Sequence, residues 1–66
     1  MAIRIHYSYW NERECKRIPC TREYNTDRLD EAKREFWQAY KMVSYMKYLE
    51  IDKMELFIPG FWVEIK

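Results

Sequence analysis

From Thr26 to Met46 the sequence TDRLDEAKREFWQAYKMVSYM repeats its apolar residues at steps of three and four: Leu29, Ala32, Phe36, Ala39, Tyr40, Val43 and Met46. Wound at 3.6 residues per turn, these positions form one stripe, and no other stretch is long and periodic enough to read as a helix. The start is marked too. Thr26 or Asp27 can cap the free N–H groups of the first turn, and Asp27, Asp30 and Glu31 place negative charge where the helix dipole favours it. Lys47 would fall on the stripe if the helix ran further, so an end near Met46 is expected. The rest of the chain has to cover this stripe or be covered by it.

The flanking segments have a period of two. Ile3, Ile5, Tyr7 and Tyr9 alternate with Arg4, His6, Ser8 and Trp10, which predicts a half-buried strand with the odd residues inward. Asn11 to Glu14 breaks the pattern as a hairpin loop. A second strand over 15–24 puts Ile18, Cys20 and Tyr24 on one parity with Lys16 and Arg22. Pro19 cannot donate to a ladder, so this strand belongs at a sheet edge or carries a bulge. After the helix, Leu49 and Ile51 form an inward pair. The apolar parity then shifts to Met54, Leu56 and Ile58, and a bulge at Asp52-Lys53 would reconcile the two halves. Pro59-Gly60 is a turn signal of type II, and Phe61, Val63 and Ile65 alternate through a final strand. The expected fold is α+β, a two-layer β-β-α-β-β arrangement. One helix packs on one face of a four-stranded, mainly antiparallel sheet, and residues 1–66 form a single domain.

Twelve Lys and Arg against eleven Asp and Glu leave a net charge of +1, without the basic excess usual for nucleic-acid binders. The N-terminal MAIRIHYSYW is too polar for a signal peptide, and no run of 18 apolar residues is available for a membrane helix. A cytoplasmic protein without membrane contact is expected, with Cys15 and Cys20 as free thiols.

No catalytic, metal or cofactor motif stands out. Cys15, Cys20 and the single His6 fall short of the ligand number and spacing of a zinc site. A Cys15–Cys20 disulfide would suit a turn better than an extended strand. One inward cysteine (Cys20) and one more exposed is the simpler reading. A cysteine–histidine nucleophile lacks an orienting third group. The acids at 27, 30 and 31 are accounted for by the helix start. No enzyme and no cofactor are therefore expected.

Binding is better supported. Three Trp, six Tyr and three Phe exceed what one small core can hide. Phe36, Tyr40, Tyr7, Tyr9, Tyr24 and Phe61 are assigned inward, which leaves Trp10, Trp37, Tyr45, Tyr48 and Trp62 for the surface. Trp, Tyr and Arg dominate interface energetics. Trp10, Trp37, Tyr45 and Trp62 are the candidate anchors, with Arg4, Arg17 and Arg34 as charged support. The preferred partner is a larger protein or ribonucleoprotein. A second reading is a single-strand nucleic-acid-binding sheet, because Arg4, His6, Trp10, Trp62 and Lys66, with Lys16 or Arg17, mix bases with aromatics on one face. Glu64 on that face counts against it. A homodimer joined through open sheet faces or edge strands is a third.

The order of elements, with EYNTDRLDEAKREFWQAY entering the helix between two hairpins, resembles small proteins encoded by phages and other mobile elements. Some anti-CRISPR proteins share this plan. The likeness covers most of the chain as topology and as a helix-entry pattern of Thr, then acids, then Ala32. It transfers no functional residue. It implies an inhibitor, acting in the host cytoplasm, that occupies a surface of a larger host protein or ribonucleoprotein.

Overall fold

The computed structural model describes residues 2–40 and 46–65. The alternating segment becomes β1 (Ile3–Asn11), and a loop over residues 12–15 returns the chain as β2 (Lys16–Tyr24). The periodic segment becomes α1 (Leu29–Tyr40). Two further strands follow, β3 (Lys47–Ile58) and β4 (Phe61–Ile65). They form one four-stranded antiparallel sheet in the order β2-β1-β3-β4. The expected β-β-α-β-β plan is the observed one. The sequence left the strand order open; β1 and β3 turn out to be central, with β2 and β4 at the edges.

Registers place the inward residues opposite one another. Ile3 lies between Tyr24 and Leu56, Ile5 between Arg22 and Met54, and Tyr7 between Cys20 and Ile51. Between the last two rows the β1–β3 register shifts and Asp52 is the extra residue. This is the bulge that the change of parity in β3 requires. A second shift falls opposite Tyr9, where Tyr48 has a left-handed φ of 53°. The Pro59-Gly60 turn closes β3 onto β4, and Gly60 has φ 103°, a region that side chains rarely adopt.

The core is Ile3, Ile5, Tyr7, Tyr24, Ala32 and Phe36, with Leu29, Tyr40, Cys20, Leu49, Ile51, Met54 and Leu56 packed around it. Phe36 is fully buried, and its ring meets Tyr7 edge-on at 5.0 Å. Tyr40 packs on both rings, and its hydroxyl is 2.7 Å from that of Tyr7. Burial, then the hydrogen bond to Tyr40, raises the pKa of the Tyr7 phenol well above the ordinary tyrosine range. Tyr24 is also buried, and its hydroxyl has no hydrogen-bond partner among the described residues.

Three expectations change. The helix begins at Leu29 rather than Thr26. The Thr26 amide bonds the Tyr24 carbonyl, and the Thr26 hydroxyl accepts the Arg28 N–H at 3.1 Å. Thr26 therefore shapes a turn just before the helix, whose first carbonyl acceptor is Arg28, bonded by the Ala32 N–H. Ala39 is exposed, because Leu29, Ala32, Phe36 and Tyr40 alone define the buried line. Phe61, expected inward, is 58% exposed. It does face the helix side of the sheet, opposite Ile58, but no residue of β4 joins the core cluster. The expected helical residues Val43 and Tyr45 lie outside the described residues, and Met46 precedes β3.

Phe36→Ala should cost roughly 3–5 kcal/mol, as buried aromatic truncations do. That matches the whole stability of roughly 3–5 kcal/mol that one small core supplies, so loss of the cooperative thermal transition in circular dichroism is expected. Tyr24→Phe removes an unpartnered buried hydroxyl and should leave the urea midpoint unchanged or raised, with a shift within about 1 kcal/mol.

Candidate interaction surfaces

The face of the sheet away from the helix carries the even residues of β1 and their partners. Two arginines organise it. Arg4 on β1 donates from Nε and Nη2 to Glu23 Oε1 on β2 at 3.2 and 2.9 Å. Its Nη1 lies 3.9 Å from Glu55 on β3, and its guanidinium lies 3.9 Å above the ring of Trp62 on β4. One side chain thus ties all four strands. Arg17 on β2 reaches across β1: it donates to Ser8 Oγ and to the Ser8 carbonyl, both at 3.0 Å, and to the Tyr48 carbonyl at 2.8 Å. Ser8, itself buried, donates to Asp52 Oδ1. Arg17 and Ser8 thereby supply partners to both bulges of β3, where ladder pairing is interrupted.

His6 Nε2 hydrogen-bonds Glu55 Oε1. That bond, followed by the charges of His6, Lys53 and Arg4, holds the Glu55 carboxyl below the usual carboxylate range, against a smaller opposing effect of burial. Glu64 lies directly opposite Glu55 across β3–β4 and has no ion pair among the described residues. Glu23, Glu50, Asp52, Glu55 and Glu64 therefore share the face with Arg4, Arg17, Lys47 and Lys53. The bases are matched by acids, and the two arginines are held within the sheet.

The sequence candidates fall into three places. Arg4, Arg17, Trp10 and Trp62 lie on this open face. Trp10, between Arg17 and Lys47, is half-buried, as is Trp62, which also packs on Phe57. Trp37 and Arg34 are exposed on the helix. Tyr45 and Lys66 lie outside the described residues.

Geometry separates the residues weighed for metal or nucleophilic chemistry. Cys20 pairs with Tyr7 on the helix side, whereas His6 is on the opposite face. Cys15, at φ 53°, ends the hairpin loop, with its thiol on the Glu12 carbonyl. Both cysteines are free, and no group of three or more metal-ligating side chains forms among the described residues. A shallow depression of about 330 Å³ is lined by Asn11, Glu12, Arg13 and Lys47. Lys47 Nζ bonds Glu12 there at 2.6 Å, which raises the lysine's pKa.

A different surface emerges on the helix side, beyond the helix. Ile58, Phe61 and Val63 are 37%, 58% and 38% exposed. They lie together on the β3–β4 hairpin: Phe61 pairs with Ile58, and Val63 pairs with Leu56 in the next inward row. Trp37, 44% exposed, is the large exposed ring of the helix. Burial raises the Tyr24 phenol above the ordinary tyrosine range. Sequence reading found Trp37 but missed Ile58, Phe61 and Val63, whose inward parity hid them. The available signal was width. Four strands at roughly 4.8 Å spacing are wider than one helix of about 10 Å.

No helix among the described residues is long and apolar enough to cross a membrane. Comparison with family models, with curated proteins and with solved structures finds no match.

The Glu55 shift fixes a pH dependence. A carboxyl lowered on folding contributes stability that is complete above its unfolded pKa, about 4.3 for glutamate, and is lost as pH falls through the lowered folded value. Glu55→Gln should reduce stability at neutral pH and flatten the stability–pH curve below about pH 4.3, measured by urea denaturation at a series of pH values. An unchanged acid limb would mean that the His6–Glu55 contact contributes nothing.

Proposed function

We propose that this protein is a non-enzymatic binding module that occupies a surface of a larger protein, docking through the apolar flank beside its helix. The observation that carries this reading is the run of Ile58, Phe61 and Val63 on the uncovered part of the sheet, with Trp37 also exposed on the helix. Contiguous exposed apolar surface is uncommon on small proteins unless it meets something, and aromatic anchors of this kind supply most interface energy. The resemblance to small proteins of phages and mobile elements supports the further step that binding inhibits the partner, a host protein or ribonucleoprotein in the cytoplasm. Occupying a surface requires no catalytic group.

The geometry lends less support to a single-strand nucleic-acid interface. On the open face Arg4 and Arg17 are engaged by Glu23, Ser8 and backbone carbonyls, Trp62 lies under Arg4, and five acids surround them. A stacking platform needs free rings and unpaired bases.

The test is affinity capture from expressing cells with wild type, Trp37→Ala and Phe61→Ser. Loss of an anchor of about 2 kcal/mol weakens binding about thirtyfold, so both variants should lose the captured partner while circular dichroism stays native. Capture that survives both substitutions in folded protein would refute the assigned surface. A parallel titration with labelled oligonucleotides at two salt concentrations should show no binding; binding that weakens steeply with salt would favour the nucleic-acid reading instead.

A further inference from the structure

The two sheet edges differ. β2 carries Pro19 and the charges Lys16, Arg17, Arg22 and Glu23. Proline and charge are what keep an edge from pairing with other chains. β4, Phe61-Trp62-Val63-Glu64-Ile65, has no proline and one charge. Its free backbone groups can be identified. The Phe57 N–H points away from β4, toward the Ala2 carbonyl, so that of Ile58 faces β4. Ile58 and Phe61 close the two-residue turn. Phe61, Val63 and Ile65 therefore direct their backbone groups to β3, while those of Trp62 and Glu64 point outward.

We infer that β4 pairs antiparallel with β4 of a second copy about a two-fold axis at Val63, forming an eight-stranded sheet. Three registers near the strand centre keep both helices on the same side. Centred on Glu64, two carboxylates would face each other. Centred on Trp62, that ring would oppose itself and Glu64 would fall opposite Gly60. Centred on Val63, all five residues pair: Val63 with Val63, Phe61 with Ile65 and Trp62 with Glu64. The outward amides and carbonyls of Trp62 and Glu64 then bond each other in both halves. The charges fit as well. Glu64 faces Glu55 within its own chain, and this register sets it against the second copy's Trp62, whose ring bears the Arg4 guanidinium at 3.9 Å. Such an interface is isologous and closed, so it stops at two copies. It also joins the two flanks carrying Ile58, Phe61 and Val63 into one trough between the helices.

This pairing does not rest on the partner-binding reading, because it is measured on the pure protein. Sedimentation equilibrium over a range of concentrations should show reversible dimerisation of wild type, and Val63→Lys should remain monomeric with a native circular dichroism spectrum. Across a non-hydrogen-bonded pair the Cα atoms are about 4.5 Å apart, within disulfide reach. In a Cys15→Ser background, Val63→Cys should therefore oxidise to a linked dimer at least tenfold faster than Glu64→Cys, whose thiols would be offset along the strands. A wild type that stays monomeric at all concentrations would overturn the inference. So would a dimer that survives folded Val63→Lys, or equal linking by the two cysteine variants.

Discussion

A helix about 10 Å wide lies over a sheet whose outer strands are roughly 14 Å apart. That mismatch decides the character of the molecule. The helix follows β2 directly and packs Phe36 onto Tyr7, so its cover is placed over β2, β1 and β3. β4 is paired but left uncovered. Its inward-parity residues are apolar as if a second layer were coming, and the chain supplies none among the described residues. The exposed flank of Ile58, Phe61 and Val63 thus follows from topology and from the width of one helix.

The opposite face solves a different problem. With no second layer there among the described residues, four strands and two bulges are held by side chains lying flat across them. Arg4 links Glu23, Glu55 and Trp62, and Arg17 links Ser8, Glu50 and the Tyr48 carbonyl. Arginine suits this role because its planar fork serves several acceptors and stacks on rings. The face resembles a basic-aromatic binding surface in sequence because the same residue types serve both purposes. In the folded chain its charges are largely matched internally.

Local signals carried far in this sequence. The alternation of Ile3, Ile5 and Tyr7 gave the core of β1, Pro19 marked an edge, and the parity change around Asp52 located a bulge that the structure places there. What failed depended on distant contacts. Thr26 reads as a cap in any sequence, yet its hydroxyl serves a turn set by Tyr24. The left-handed Tyr48 lies opposite Tyr9, and no residue type there announces it. Phe61 has the parity of a core residue, and only the strand order reveals that the helix does not reach it. Arg4 and Arg17 were visible as charged residues on the open face, but their acidic and carbonyl partners come from other strands.

The helix covers three strands and leaves the β4 flank bare. Nuclear Overhauser spectra of dilute protein address this directly. Strong contacts are expected from the Phe36 ring to Ile3, Ile5 and Tyr7, and none from any side chain of α1 to Phe61 or Val63. Cross-peaks between the helix and Phe61 or Val63 would show that the flank is covered and would contradict the account.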